Sequence, residues 1–455
     1  MGVYEIVAII LSLLVLLGIK LMSSPKTAVY GNQISALSML SAIILVLVYN
    51  EIISMPLLWA AILIGGIIGY IIAKKVNMIQ MPQMVALLNG LGGGTSAIVA
   101  LVEIFERYEN MIYFERITSQ LALIVGGITL SGSLIAAAKL DRKIPQKPVV
   151  LKGHSILLNI SLIVLCVLAI FGTLNNYSMI DIISISALFI SILFGILFSI
   201  RVGGADMPIT ISLLNSCSGL AGAICGFTIG DPLLVSVGAI VGASGIILTQ
   251  IMCKAMNRSL MDVLKGSHIA DKTFTGEIIA VSVERDTQEE KKSVHDILQE
   301  AKKVIIVPGY GMALAQAQYL VKQLTDKLES EGKDVKFAIH PVAGRMPGHM
   351  NVLLAEVDIP YEKLWDMDNI NPEFEETDLT IVIGACDVVN PAASYAEGTP
   401  IYGMPVLDVD KSKYVIVCNM DTKPGYSGVE NPLYNMNNVT MLLGNAAETL
   451  KKLAE

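Results

Sequence analysis

A bundle of about nine transmembrane α-helices, followed by a Rossmann-like α/β domain with a parallel sheet, is the architecture that the sequence predicts. Three observations carry it. The chain is 53% hydrophobic and only 16% charged, with a mean hydropathy of +0.63, whereas about a quarter of the residues in a soluble domain are charged. Charge is also unevenly spread: residues 1–262 hold 14 Lys and Arg against 11 Asp and Glu, and residues 263–455 hold 18 against 29. The first portion is therefore +3 and the second −11. Finally, apolar runs of bilayer length recur in the first portion, while the second alternates short apolar runs with glycine-bearing turns. The expected organisation is a membrane domain over 1–262, a polar linker over 263–287 and an α/β domain over 288–455.

A helix needs about 20 apolar residues to cross a bilayer. Runs near that length fall at 3–22, 33–50, 54–73, 82–101, 118–138, 155–174, 179–199, 207–227 and 232–252. The fourth, which contains Gly92, Gly93 and Gly94, is the weakest in hydropathy. The N-terminus lacks the basic start and cleavage site of a removable leader, so the first run is expected to remain as a span.

Loop charge gives an independent test, because short cytoplasmic loops carry an excess of Lys and Arg. With nine spans and the N-terminus outside, twelve basic residues fall inside: Lys20, Lys26, Lys74, Lys75, Lys139, Arg142, Lys143, Lys147, Lys152, Arg201, Lys254 and Arg258. Only Arg107 and Arg116 fall outside. The number of spans and the orientation support each other, and the C-terminal domain is expected in the cytoplasm. Its acidity argues against a nucleic-acid partner, which needs a basic face. The six cysteines, Cys166, Cys217, Cys225, Cys253, Cys386 and Cys418, show no metal-ligand spacing. Small residues such as Gly219, Gly222, Gly238, Gly242 and Gly245 let helices approach closely in lipid.

Polar groups inside the spans are costly unless partnered. Asp206, in Gly203-Gly-Ala-Asp206-Met-Pro208, stands at the cytoplasmic mouth of the eighth span. Asn215 follows about two and a half helical turns deeper. Two readings stand for Asp206: a helix N-cap, which Pro208 favours, or part of a polar pathway. Asn89 and Asn159 also lie inside spans. His154, His268, His295, His340 and His349 all fall away from mid-membrane, and no Asp or Glu lies there. The chain thus offers no obvious neutral-pH titrating group within the bilayer.

In the second portion, Thr287-Gln-Glu-Glu290 reads as a capping box opening a short helix. Val304–Val307 reads as a buried parallel strand, leading into Pro308-Gly309-Tyr310-Gly311-Met312-Ala313 and a helix through about Glu329. A second strand over Val335–Ile339 completes a βαβ unit. The glycine turn is either a pyrophosphate cradle at a helix N-terminus or an ordinary tight turn; Leu314 after Ala313 obscures the third glycine of the dinucleotide pattern. Similar strand-to-loop steps run from Phe337–His340 into Pro341–Gly348, and from Leu379–Ile383 into Gly384–Asn390. Strands at Pro405–Leu407 and Tyr414–Val417 precede Gly425–Gly428. Glycine-bearing loops at the C-terminal ends of strands form the ligand edge of an open α/β sheet. Arg345 suits either a phosphate or a surface ion pair.

Over Gly203–Asn215, Ile251–Arg258, Pro308–Gln318, His340–Glu356 and Gly425–Pro432 the chain resembles the beta subunit of the bacterial proton-translocating nicotinamide nucleotide transhydrogenases, and the likeness runs over nearly its whole length. The resemblance implies reversible hydride transfer from NADH to NADP+, driven by inward proton movement across the bacterial plasma membrane. It implies NADP(H) in this chain, NAD(H) in a separate alpha subunit, and a dimer of alpha–beta units in membrane lipid. Cofactor contacts would be Gly309, Tyr310, Gly311, Val342, Ala343, Gly344, Arg345, Met346, Pro347, Gly384, Ala385, Cys386, Asp387, Val388, Gly403, Met404, Gly425, Tyr426, Asn445 and Ala446. Asp206 and Asn215 match positions that the family associates with proton coupling. Hydride transfer needs closeness, orientation and exclusion of water, so no catalytic side chain is assigned.

Two departures stand out. Asn89 occupies the place of a His in the family's fourth span, so the titrating membrane group is expected in a partner subunit. Asn419-Met420 replaces the Lys-Arg pair that meets the 2′-phosphate, leaving Lys423 as the substitute anchor. The competing reading is a membrane transporter whose cytoplasmic domain senses a nucleotide.

Overall fold

The computed structural model describes residues 2–24, 27–76, 80–145, 148–174, 179–203, 206–255, 259–265, 293–344, 348–397, 399, 401–425 and 427–454. The chain divides into two compact units near residues 251–265. In the first are α1 (Val3–Met22), α2 (Ala28–Tyr49), α3 (Pro56–Lys75), α4 (Met81–Arg107), α5 (Tyr113–Leu140), α6 (His154–Leu174), α7 (Ile180–Ile200), α8 (Met207–Ile229) and α9 (Pro232–Ala255). Among the described residues these nine helices are long and apolar enough to cross a membrane. A short α10 (Leu260–Lys265) follows.

Several helices outrun the hydrophobic windows. The second starts at Ala28 rather than 33, the fourth continues to Arg107 rather than 101, and the fifth starts at Tyr113 rather than 118. Polar residues sustain these extensions. Glu103 and Arg107, one turn apart on α4, pair at 3.0 Å. At the start of α5, the Glu115 carboxylate accepts from the Ile112 N–H at 3.2 Å.

α5 is the hub of this unit, packed against α4, α6, α7 and α8. Small residues permit the contacts: a Cβ on Gly126 of α5 would lie 2.4 Å from the Gly93 carbonyl oxygen of α4. α1 and α2 pack as a pair that shares a small apolar cluster with Leu233 and Val237 of α9. No residue of α3 is buried against the described residues.

The second unit opens with α11 (Val294–Glu300), capped by the Ser293 hydroxyl, which accepts from the His295 N–H. The predicted capping box at Thr287–Glu290 lies outside the described residues, as does the linker from 266 on. Then come β1 (Lys303–Pro308), α12 (Tyr310–Leu314), α13 (Gln318–Ser330), β2 (Asp334–Ile339), α14 (His349–Glu356), β3 (Leu364–Asp366), α15 (Met367–Ile370), β4 (Leu379–Ile383), β5 (Tyr414–Asn419), β6 (Val439–Leu443) and α16 (Ala446–Ala454). The six strands form one parallel sheet in the order β3-β2-β1-β4-β5-β6. Near-continuous apolar runs in β1, β4 and β5 mark strands covered on both faces. Their buried side chains join Ile370, Phe374, Leu407 and Leu433 in the core.

Two expectations are corrected. Pro405–Leu407 is not a strand: the Leu407 N–H donates to the Val388 carbonyl at 2.9 Å and the Pro405 carbonyl accepts from His340, so loops satisfy this backbone. The single helix expected after the glycine turn is instead α12 and α13. Gln316, at φ 50°, turns the chain left-handed between them. The Gln316 N–H donates to Ala313 O and the Ala317 N–H to Met312 O, the double bond pattern that closes a helix C-terminus.

Candidate functional site

In this strand order, consecutive loops leave β1 and β4 in opposite directions and open a crevice at the C-terminal ends of the strands. Here the two loops touch through their backbones. The Gly309 N–H donates to Ile383 O and the Gly311 N–H to Gly384 O, both at 2.8 Å. A Cβ on Gly309 would stand 2.3 Å from Gly384 O, and one on Gly384, whose φ is +67°, would stand 2.4 Å from the Gly311 Cα. No side chain fits at either position. Tyr310, half-buried, begins the single turn of α12 between them.

The loop after β2 is anchored from within. His340 is 2% exposed; its Nδ1 accepts from the Val342 N–H at 3.3 Å, so Nε2 donates to Pro405 O at 2.8 Å. Burial pulls its pKa down to about 4, which keeps the ring neutral in this pair of bonds. Ala343 is buried, and its N–H donates to His340 O. Gly344 passes so close to His349 that a Cβ would be 2.3 Å from Nδ1. Met404 follows Gly403, whose N–H donates to Ala393 O at 2.8 Å, and so stands beside the Pro405 anchor. Arg345, Met346, Pro347 and Tyr426 lie outside the described residues.

The loop after β4 is covered by the chain that follows β5. The Asp387 carboxylate accepts from the Ser427 N–H at 3.0 Å and from its hydroxyl at 2.7 Å. Gly425 lies so near that a Cβ would meet Asp387 at 2.7 Å. Asn431 donates to Cys386 O and Asn390 to Glu430 O. Burial raises the Cys386 thiol pKa, which makes it a packed thiol rather than a nucleophile. Ala385 is buried, and Val388 packs against the sheet core.

At the end of β5 the Asn419 amide is fully engaged, donating to Ala385 O at 2.8 Å and to the Tyr434 hydroxyl at 2.9 Å. Gly444 donates its N–H to Asn419 O, which brings Asn445 and Ala446 to the same edge. The Asn445 side chain accepts from the Ala447 N–H at 3.0 Å and so caps α16. The Lys423 side chain is 82% exposed, with Nζ 3.8 Å from the Asp421 carboxylate. A separate cavity of about 440 Å³ is lined by residues including His295, Lys327, Lys333 and Lys452 and shares none of the strand-end loops. The glycine-built crevice, at the C-terminal ends of the strands where the order reverses, is the better candidate ligand site.

In the membrane unit, a Cβ on Gly92 of α4 would lie 2.8 Å from the Ser218 hydroxyl of α8. Both helices run in the same sense, since three spans intervene. One turn back along each stand Asn89 and Asn215, which therefore occupy facing helices at one depth. Asn89 is 9% exposed, and its Nδ2 has no partner among the described residues. Ser133 of α5 lies against Gly90, is fully buried, and likewise leaves its hydroxyl unpartnered. Asp206 is the N-cap residue of α8, yet its side chain makes no capping bond. Nine residues of helix separate it from Asn215, about 13 Å along the axis.

Residues 4–455 match the family profile described as the NAD(P) transhydrogenase beta subunit. The chain is 40% identical to the NAD(P) transhydrogenase subunit beta of Rhodospirillum rubrum over 98% of its own length and 97% of that protein, and equally to that of R. rubrum strain ATCC 11170. The chain belongs to the NAD(P) transhydrogenase beta-subunit family. Membership accounts for a glycine-built crevice and a polar spot within nine apolar helices in one chain. Ser133 had no signal in the sequence, where one serine among many in an apolar run says nothing of its burial.

Proposed function

We propose that the chain is the NADP(H)-binding and proton-translocating part of a transhydrogenase that transfers hydride reversibly from NADH to NADP+, with NAD(H) held by an alpha subunit. The supporting observation is the close backbone contact of Gly309 and Gly311 with Gly384, which leaves no room for a Cβ and keeps the loops after β1 and β4 free of side chains at these positions. In this reading the pyrophosphate lies across the glycine loops at the strand ends, where no side chain blocks the approach of a ligand to the backbone. By the family resemblance, residues 342–347, 384–388, 403–404, 425–426 and 445–446 would be the contacts of the bound NADP(H). Bound nicotinamides supply the hydride donor and acceptor; the protein aligns them and excludes water.

Lys423 is the 2′-phosphate anchor in this reading. Asn419 is occupied in holding Ala385 and Tyr434, and Met420 has no charge to offer. In the membrane, Asp206 exchanges the proton at the cytoplasmic mouth, while Asn89, Ser133 and Asn215 orient water beside a titrating group of the alpha subunit. The N-terminus lies outside and the α/β domain in the cytoplasm, as loop charge requires. One proton moving through about 200 mV releases about 4–5 kcal/mol, which biases the hydride equilibrium about a thousandfold. Two alpha–beta units associate in the bilayer.

The test is hydride exchange between NADH and an NADP+ analogue in membranes that contain this chain with and without its alpha partner. Exchange with the partner and none without it supports the reading. Saturable NADP(H) binding without exchange under any condition would favour a nucleotide-regulated transporter.

A further inference from the structure

Lys139 is a cation folded into the protein interior. It belongs to the last turn of α5 and is 1% exposed, and its Nζ donates to Ile200 O at 2.5 Å and Val202 O at 2.7 Å. Long cationic side chains at a helix end ordinarily reach out to water, and Lys139 does not. Here the ammonium turns inward beside an apolar cluster of Ala86, Ala136, Leu140, Val202 and Met207. Leu or Met at this position would add to that cluster without desolvating a charge. Packing alone therefore does not account for a lysine.

What Lys139 holds is the turn that carries Asp206. Ile200 ends α7, Val202 lies in the turn, and Asp206 is the N-cap of α8. The last carbonyls of a helix lack intrahelical donors and form its negative pole, so a cation is favourable there. Two further ties fasten the same end. The Val149 N–H donates to Ile200 O at 3.1 Å. His154 accepts from the Leu151 N–H on Nδ1 and donates from Nε2 to Leu197 O at 2.9 Å. Those two come from the α5–α6 loop and the start of α6. Lys139 instead joins the turn to α5, the helix whose Ser133 lies against Gly90, the residue after Asn89 on α4.

We propose that Lys139 is a positioning residue for the proton step: its ammonium clamps the end of α7 to α5 and so sets where Asp206 stands relative to Asn89, Ser133 and Asn215. This rests on the reading of Asp206 as a proton-pathway group. The experiment uses the full chain assembled with its alpha partner in sealed vesicles. NADPH-driven reduction of an NAD+ analogue and the accompanying proton movement are recorded together for wild type, Lys139→Met, Lys139→Arg and Asp206→Asn.

Lys139→Met is expected to lower the protons moved per hydride about tenfold or more, the loss of a charge-assisted hydrogen bond expressed as a ratio. NADP(H) affinity should stay within about twofold, since that site is in the other unit, and Lys139→Arg should recover at least about half of the ratio by keeping charge and donors. A wild-type ratio in Lys139→Met alongside a depressed one in Asp206→Asn overturns the proposal. Equal loss in the Met and Arg variants also overturns it, because the defect then reports volume. A wild-type ratio in Asp206→Asn instead removes the underlying reading of Asp206. Should Lys139→Met not accumulate in the membrane, Lys139→Gln decides, since it keeps N–H donors without charge. A reduced ratio that Arg restores supports the clamp, and a wild-type ratio in the Gln variant refutes the need for a cation.

Discussion

Main-chain groups line the crevice of the α/β domain, whereas side chains alone supply polarity inside the helical bundle. The difference follows from the solvent each faces. A membrane helix must satisfy its backbone internally, so polar side chains such as Asn89, Ser133 and Asn215 are what the bundle can offer to water or a proton. At the strand ends, the loops of Gly309–Gly311 and Gly384 are joined backbone to backbone, with no side chain between them. Side-chain replacement therefore has different meanings in the two places. In the proposed reading, Asn89 in place of a His would change the chemistry of the membrane site, whereas Asn419-Met420 in place of a Lys-Arg pair would leave the glycine loops intact and move one phosphate contact to Lys423.

The largest effect that separates the two regions is expected from Gly384→Ala. Its Cβ would press on the Gly311 Cα at 2.4 Å in a left-handed conformation, a combination costing on the order of 3 kcal/mol. NADP(H) affinity of the full chain in detergent, followed by titration calorimetry, should fall about a hundredfold while the membrane helices remain folded. Wild-type affinity would show that the contact is not the cradle.

His340 gives the next effect, through pH. Its pKa is pulled to about 4 in the folded domain, against about 6.5 in the unfolded chain. Between these values the unfolded state binds more protons, so stability falls as pH drops from 6.5 towards 4 and is level above 6.5. The total change is about 3 kcal/mol. Hydrogen exchange of the β1, β4 and β5 amides reads it, and His340→Gln should flatten the profile.

Lys423→Ala sharpens the comparison on the side-chain side of the crevice. Loss of one charge-assisted bond to a 2′-phosphate costs about 1.5–3 kcal/mol, or ten- to a hundredfold in NADPH affinity, with NADH affinity unchanged. An unaltered NADPH-to-NADH preference would eliminate Lys423 as the discriminator. The smallest effect is expected from Gly222→Ala in α8, where a Cβ would meet nothing within 4 Å. Replacing a helical glycine there should stabilise by about 0.5–1 kcal/mol, seen as a slightly raised melting temperature with full activity.

The elements legible in the sequence were those with a continuous apolar signal: the nine long helices, β1, β2, β4 and β5. β3 escaped because three residues, Leu364–Asp366, make no pattern, and β6 because Val439–Leu443 is an edge strand that is largely half-exposed. Pro405–Leu407 looked like a strand by composition, yet its hydrogen bonds go to His340 and Val388. The glycine loops of the crevice were visible, but the approach of Gly309 to Gly384 depends on strand order, which one sequence does not print. The inward turn of Lys139 was not legible, because charge counting gives only the side of the membrane on which a lysine lies and packing alone shows where its ammonium goes.

The central claim, that one chain joins an NADP(H) crevice to a proton path through Asp206, is tested most directly by proton movement in sealed vesicles holding this chain and its alpha partner. During NADPH-to-NAD+ hydride transfer the wild-type assembly should move protons, and Asp206→Asn should depress that movement about tenfold or more while NADP(H) binding is retained. Hydride transfer at full rate without any proton movement in the wild type, or wild-type movement in Asp206→Asn, would contradict it.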